Sequence, residues 1–171
     1  MEVKIIYGTD TGNTEVVTED LVKLLDSPTV ETVDEINEDT WKDSGLYILG
    51  IPTWYDGELQ SDWEDYFDDF QEVDFTGKTV AVFGLGDQIG YDEWFCDGVG
   101  ILAGVVEKNG GTVIGNWSTD GYEFEASKAV MNTNNTFFGL CIDEDNQPEL
   151  TQERLSKWVV QLKEEYYINN K

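Results

Sequence analysis

Residues 9–14 carry the chemical groups that an anion needs. The segment Thr9-Asp10-Thr11-Gly12-Asn13-Thr14 joins a predicted strand to a predicted helix. Its three hydroxyl groups, its glycine and the free amides at the start of a helix favour a bound phosphate. No lysine follows the glycine, so the segment is not a Walker loop, and it does not match GxGxxG. It predicts a resident phosphate held by neutral donors; plain helix capping by threonine is the simpler alternative.

Two later loops each place an aromatic side chain after a predicted strand. Pro52-Thr53-Trp54-Tyr55-Asp56-Gly57 follows the third strand, and Gly84-Leu85-Gly86-Asp87-Gln88-Ile89-Gly90-Tyr91 follows the fourth. Loops after parallel strands leave the same edge of a doubly wound sheet, where ligands bind. Trp54 and Tyr91 would there enclose a flat ring by stacking. Taken singly, each is explained as well by a partly buried surface aromatic, and Trp94 is interpreted as helix packing.

The surrounding pattern alternates strands with helices. Apolar runs predict strands at 3–7, 29–33, 46–51, 79–83, 112–114 and 137–142. Helical spacing predicts helices at 14–25, 63–70, 92–108 and 151–167, the last with Thr151 as its cap. This alternation indicates an α/β fold with a parallel sheet and helices on both faces. Residues 117–135 are polar, aperiodic and long for a loop, and an excursion that interrupts one strand would explain them.

Composition excludes several kinds of chemistry. The 171 residues include 10 Lys and Arg, 36 Asp and Glu and no His, for a net charge of −26. That charge repels nucleic acids and anionic membranes. The lack of histidine excludes His-dependent triads and His metal ligands. Two cysteines, Cys96 and Cys141, are too few for an iron–sulfur cluster or a Cys-rich zinc site, and both are interpreted as small buried thiols.

The sequence also bears on location and on surface charge. It has no apolar stretch that would span a bilayer and no signal-peptide character in Met1–Lys4, so we predict a soluble cytoplasmic protein. The glycosylation patterns at Asn116 and Asn134 are then chance matches. Acidic residues form a group that either steers the protein toward basic partners or only keeps it in solution. They are Asp62, Glu64, Asp65, Asp68, Asp69, Glu72, Asp74, Asp143, Glu144 and Asp145.

In combination, these motifs resemble one family over essentially the whole chain. Thr9-x-Thr11-Gly12-Asn13-Thr14, Pro52-Thr53-Trp54, Gly84-x-Gly86-Asp87 and the tract from Ser118 to Lys128 are similar to a long-chain flavodoxin of the cyanobacterial and algal type. The resemblance implies one domain of residues 1–171 with a flavodoxin-like fold. Its five-stranded parallel sheet would have the order 2-1-3-4-5. The last strand would be split by an insertion at 117–135.

The resemblance further implies non-covalently bound FMN and assigns residues to it. Residues 9–14 would wrap the phosphate, and Trp54 and Tyr91 would flank the isoalloxazine. The turn Tyr55-Asp56-Gly57, which follows Thr53, would present a carbonyl to flavin N5. The remaining implied contacts, to the ring edge and ribityl chain, are Leu85, Gly86, Asp87, Trp94, Cys96 and Asp145. The sequence departs from the family's usual residues at Asp10, Asp56 and Trp94.

The implied function is electron transfer rather than catalysis. The resemblance predicts a monomeric, low-potential one-electron carrier that shuttles FMN between semiquinone and hydroquinone. Its implied partners are ferredoxin–NADP reductase and photosystem I, where it would replace ferredoxin. The alternative is an FMN-dependent NAD(P)H:quinone reductase of the same fold. A phosphoacceptor signalling module is disfavoured because Tyr7-Gly8-Thr9 lacks an acidic pair.

Overall fold

A computed structural model describes residues 1–42, 45–132 and 135–170 of the chain. Its centre is a parallel sheet made of β1 (Val3–Tyr7), β2 (Thr29–Thr32), β3 (Leu46–Trp54), β5 (Thr79–Leu85), β6 (Thr112–Ile114) and β9 (Leu140–Ile142). The strand order is β2-β1-β3-β5-β6, with β9 also beside β5. The short β4 (Glu58–Leu59) pairs antiparallel with the end of β3. The predicted fold class and strand order are confirmed.

The last position of the sheet is filled by two short strands. β6 pairs with Thr79–Ala81 at the start of β5, and β9 pairs with Phe83–Leu85 at its end. Between them in sequence, β7 (Trp117–Ser118) and β8 (Thr136–Phe137) pair antiparallel. The predicted split of the last strand is therefore confirmed. The predicted insertion at 117–135 and the pattern at Asn134 include residues 133 and 134, which lie outside the described residues.

Helices cover the sheet on both faces. On one side, α1 (Asn13–Leu24) and α4 (Thr151–Asn169) bury Leu21 and Trp158. On the other side, α2 (Ser61–Phe70) and α3 (Asp97–Lys108) bury Trp63 and Leu102. Strand β3 lies between the two cores, which explains its nearly continuous apolar run. Within the described residues, no helix is long and apolar enough to cross a membrane.

Some predicted boundaries are wrong. The helix predicted at 92–108 begins at Asp97, because the preceding Cys96 has φ +54 and ends the turn that precedes the helix. Trp94 therefore lies in that turn and not on a helix face. Thr151 does not cap α4: a 3₁₀ turn, Pro148–Leu150, leads into the helix, and the Thr151 hydroxyl donates to the Glu144 carboxylate.

Candidate functional site

The loop between β1 and α1 leaves helix amides available to a ligand. Gly12 precedes the helix with φ +92, and no side chain of the described residues caps the first turn of α1. The Thr9 hydroxyl oxygen accepts a hydrogen bond from the Gly12 amide at 2.9 Å, which closes the loop and leaves the hydroxyl hydrogen free to donate. The simpler explanation, threonine capping of the helix, is thus not what the structure contains.

Two buried polar atoms at this edge of the sheet have no protein partner. They are Oγ1 of Thr14 and Nε1 of Trp54, and neither has a hydrogen-bond partner within the described parts of the chain. Thr14 is only 1% exposed. A buried polar atom without a partner costs about 1–3 kcal/mol, so native proteins rarely keep one unless something else binds it. Both residues line the same crevice, which points to a polar ligand there.

The crevice lies across the carboxyl ends of β1, β3 and β5. This is the place where the strand order of such a sheet changes direction. The residues that line it come from all three predicted loops and from the loop after β9. They are Thr9, Thr11, Asn13, Thr14, Pro52, Thr53, Trp54, Leu85, Gly86, Asp87, Tyr91, Glu144 and Asp145.

Most of the predicted site residues thus meet in one place, and two lining residues were not predicted. Pro52 and Glu144 each stand beside a predicted residue, in the Pro-Thr-Trp and Asp-Glu-Asp motifs, so adjacency alone would have pointed to them. No lysine or arginine of the described residues lines the crevice. That neutral donors hold an anion in this crevice stays a prediction.

Trp54 and Tyr91 both line the crevice, and Tyr55 stands between them. The Tyr55 ring lies 6.4 Å from that of Trp54 and 6.3 Å, edge-on, from that of Tyr91. Tyr91 is 40% exposed and Tyr55 59%. Exposed aromatic faces beside an apolar crevice are suited to stack against a planar ring.

The turn of residues 55–57 connects β3 to β4 and does not itself line the crevice. Thr53 pairs with Leu59 and Trp54 with Glu58, which leaves three residues for the turn. Tyr55 and Gly57 both have positive φ, at +41° and +84°. Only glycine adopts the second value without a steric cost, so the sequence forces the turn at this point.

The loop that carries Tyr91 is fixed by a carboxylate. Oδ1 of Asp87 accepts hydrogen bonds from the amides of Ile89 and Gly90, at 3.0 and 2.7 Å, and from Nδ2 of Asn146 at 2.8 Å. Burial raises the pKa of Asp87, but the three hydrogen bonds outweigh it, so the pKa lies below its ordinary value. Asp87 therefore lines the crevice as an ionised carboxylate whose Oδ1 is already used in hydrogen bonds that hold the loop.

A second, fully buried carboxylate supports the same loop. Asp143 accepts from the Gln88 amide and side chain, at 3.1 and 2.7 Å, and from the amides of Asp145 and Asn146, at 3.1 and 2.9 Å. Gln88 in turn accepts from the amide of Glu123 at 2.6 Å. The prediction that Asp143 belongs to the acidic surface is wrong, because it is 0% exposed and serves as a hydrogen-bond hub.

Other predicted site residues lie outside the crevice. The carboxylate of Asp10 points to the start of α2, where it accepts from Gln60 Nε2 at 3.0 Å and Ser61 Oγ at 2.7 Å. The negative charge of Asp10 thus lies at the N-terminus of α2, where the helix dipole favours it, and this explains why the loop between β1 and α1 tolerates an acidic residue. Four further predicted residues are adjacent in sequence to lining residues but do not line the crevice themselves: Gly12, Tyr55, Asp56 and Gly57.

Trp94 and Cys96 also lie away from the crevice lining. The Cys96 side chain is fully buried, although its backbone nitrogen lies next to Gly86, 3.0 Å from where a Cβ there would stand. A ligand contact from Cys96 would therefore come from its main chain. Both cysteines are buried, as predicted; burial and the neighbouring Cys96 thiol raise the pKa of Cys141.

The acidic surface of α2 and the segment after it is present. Glu64, Asp65, Asp68, Asp69, Glu72 and Asp74 are exposed, whereas the aromatic side chains Trp63 and Phe70 point inward. Asp62 is half-buried and accepts from Gln60 Nε2 at 2.8 Å. Asp145 is exposed at the crevice mouth, and burial together with the charges of Asp87 and Asp143 raises its pKa.

These features define a doubly wound α/β protein whose switch-point crevice fits a flat, phosphorylated ligand. A family model described as flavodoxin matches residues 5–158. The chain belongs to the flavodoxin family.

The chain is similar to flavodoxins from several bacteria, one of them cyanobacterial. The chain is 48% identical to a flavodoxin of Haemophilus influenzae over 166 residues, which cover 95% of this chain and 94% of the relative. It is 46% identical to a flavodoxin of Synechocystis over 165 residues, covering 95% and 96%. The crystal structure of Fusobacterium nucleatum flavodoxin bound to flavin mononucleotide matches with a TM-score of 0.90 and 35% identity, covering 96% of this chain and 98% of that one. The cyanobacterial and algal long-chain type stays a prediction.

Proposed function

We propose that this chain binds FMN and carries electrons. The observation on which this depends is the buried Thr14 hydroxyl, which has no partner in the described chain and lies at the uncapped start of α1 beside an aromatic crevice. Bound FMN supplies the one-electron redox chemistry, and the protein supplies binding, orientation and electrostatics.

The phosphate would be bound by residues 9–14. The hydroxyls of Thr9, Thr11 and Thr14 and the amides at the start of α1 are its donors, with the helix dipole in support. Asp10 is a neighbour in this loop and contributes through its hydrogen bonds to Gln60 and Ser61. These bonds hold the loop to α2.

The isoalloxazine would lie between Trp54 and Tyr91. Thr53, Leu85, Gly86, Asp87 and Asp145 line the rest of the crevice and are positioned for the ring edge and the ribityl chain. Tyr55, Asp56 and Gly57 form the turn that would offer a carbonyl oxygen to flavin N5. Cys96 would contribute its main chain, and Trp94 would support the turn from behind, where its Cδ1 lies 3.2 Å from a Cβ placed on Gly57.

The surroundings of the crevice support a low potential. Asp87, Glu144 and Asp145 line it, and no basic side chain of the described residues does. Each carboxylate at about 10 Å opposes added negative charge by about 0.4 kcal/mol in water, and by more in a drier site. The exposed acids of α2 would attract basic partners, for which ferredoxin–NADP reductase and photosystem I are the proposed examples.

The carrier role is favoured over the quinone reductase because Trp54 and Tyr91 both line the crevice and would cover the two faces of a bound ring. A reductase needs one open face for the nicotinamide. Steady oxidation of NAD(P)H by the isolated protein would support the reductase instead.

The test of FMN binding is a comparison of Thr14→Val with the wild type. The apoprotein is titrated with FMN and, separately, with riboflavin, which lacks the phosphate; quenching of flavin fluorescence gives both dissociation constants. The valine keeps the shape but removes a hydrogen bond to a charged group, so FMN affinity should fall roughly tenfold to a hundredfold.

Riboflavin affinity is the internal control and should change little. Equal losses for both flavins would show that Thr14 does not meet the phosphate. A wild-type apoprotein that binds neither flavin would contradict the proposed function as a whole.

A further inference from the structure

Asp97, the first residue of α3, is a carboxylate that is buried at the junction of three segments. It is 1% exposed. Its Oδ1 accepts a hydrogen bond from the amide of Lys128 at 2.7 Å, and the next amide, that of Gly98, donates to Oγ1 of Thr53 at 3.0 Å. The start of α3 is thereby joined both to the chain between β7 and β8 and to the end of β3.

The other carboxylate oxygen of Asp97 lies against the 55–57 turn. A Cβ built on Gly57 would stand 2.7 Å from Oδ2 of Asp97 and 3.2 Å from Cδ1 of Trp94. Gly57 therefore lacks a side chain for two reasons: its φ of +84° and the carboxylate that occupies the space. Asp97 is buried and does not line the crevice, whereas the neighbouring Trp54 does.

We infer that Asp97 is a positioning residue that biases the peptide groups of the 55–57 turn toward the crevice, an inference that rests on the proposed binding of FMN. A carbonyl oxygen turned inward would meet a negative charge at short range, and in a buried setting this repulsion is strong. A carbonyl turned outward escapes this repulsion and would be free to accept a hydrogen bond from a bound flavin. The carboxylate would thus favour the orientation in which the turn offers its carbonyl oxygen to the crevice.

Burying the negative charge of Asp97 costs desolvation free energy, which is consistent with a functional role. Burial raises the pKa of Asp97, while the hydrogen bond from the Lys128 amide and the Lys128 charge act in the opposite direction. A neutral asparagine of the same shape would accept the same amide. Groups that are kept in such unfavourable settings concentrate at functional sites.

The test is Asp97→Asn in the FMN-loaded protein, with both one-electron midpoint potentials measured by spectroelectrochemistry. The asparagine amide can donate to an inward carbonyl, so the midpoint potential for adding the first electron should fall. Loss of the negative charge should raise the midpoint potential for adding the second electron. The gap between them should narrow, with a roughly tenfold decrease in the comproportionation constant, the size of one hydrogen bond's net contribution.

Glu93→Gln is the matched control, since it removes one exposed carboxylate from the segment just before Asp97. It should leave the gap nearly unchanged. Asp97→Ser provides a second neutral variant if the asparagine variant does not fold, and it should narrow the gap as well.

An unchanged gap in a folded Asp97 variant, or an equal rise of both potentials, would overturn the inference. Normal FMN binding by the same variant would then leave the proposed function intact. Failure of the wild-type chain to bind FMN would instead reject the proposed function and this inference with it.

Discussion

The two loops that carry the aromatic walls of the crevice are held in different ways. The Tyr91 loop is fixed by two carboxylates, Asp87 and Asp143, which together accept hydrogen bonds from backbone amides and from Gln88 and Asn146. The Trp54 loop ends in a three-residue turn with two positive φ angles, backed by Trp94 and Asp97. One wall is tied by many hydrogen bonds, whereas the other is shaped by backbone conformation and close packing.

This difference separates two tasks. A loop with many satisfied polar groups keeps one geometry, which suits a wall that must present a ring face for stacking. A turn with few ties and a glycine can reorient its peptide groups at small cost, which suits a part that responds to the redox state of a ligand. We therefore expect changes in the first loop to alter stability and affinity, and changes in the second to alter potentials.

The largest effect is expected for Asp143→Ala. The change leaves the buried Gln88 side chain and several amides without an acceptor, so the free energy of unfolding should fall by about 3 kcal/mol. Urea unfolding of the apoprotein measures it, and FMN titration should show weaker binding. Glu72→Ala, at an exposed acid, is the control and should stay within about 0.5 kcal/mol. If Asp143→Ala had the same free energy of unfolding as the wild type, hydrogen bonds would not be what holds the Tyr91 loop, and the proposed difference between the two loops would be wrong.

A smaller effect is expected for Gly57→Ala. The added methyl group would stand 2.7 Å from Oδ2 of Asp97, and alanine disfavours the φ of +84° at this position. Together these effects should lower the free energy of unfolding by about 1–2 kcal/mol. The gap between the two one-electron potentials should narrow, because the turn loses part of its freedom to reorient. Spectroelectrochemical titration measures both potentials.

Gly104→Ala is the matched control for the glycine variant. A Cβ at Gly104 meets nothing within 4 Å, and this helical position should gain up to about 1 kcal/mol of stability. If Gly57→Ala changed the unfolding free energy but neither potential, the turn would have only a structural role.

The smallest effect is expected for Asp56→Asn. Asp56 is exposed at the turn, so removing its charge should raise the second midpoint potential by only tens of millivolts. This follows from about 0.4 kcal/mol of repulsion at ~10 Å and ~59 mV for each 1.4 kcal/mol. Added salt should reduce the difference from the wild type. A fall in that potential would contradict the electrostatic explanation.

Strands and core were predictable because their signal is local and strong. β1 matches its predicted range, Val3–Tyr7, and β3 extends its apolar run only from Ile51 to Trp54. The start of α3 was not predictable, because residues 92–96 keep a helical pattern while Cys96 adopts a left-handed conformation. Asp143 could not be distinguished from its exposed neighbour Asp145, because only the three-dimensional structure shows which of two identical carboxylic acids is enclosed by amides.

The divided strand at the end of the sheet has a consequence for solubility. An edge strand offers unpaired backbone groups to which another chain can add, and this is a route to aggregation. Here that edge consists of two three-residue pieces, β6 and β9, which are separated in sequence by residues 115–139. A second molecule would find no long stretch of backbone to extend at this edge, so the interruption opposes association through edge-to-edge strand pairing.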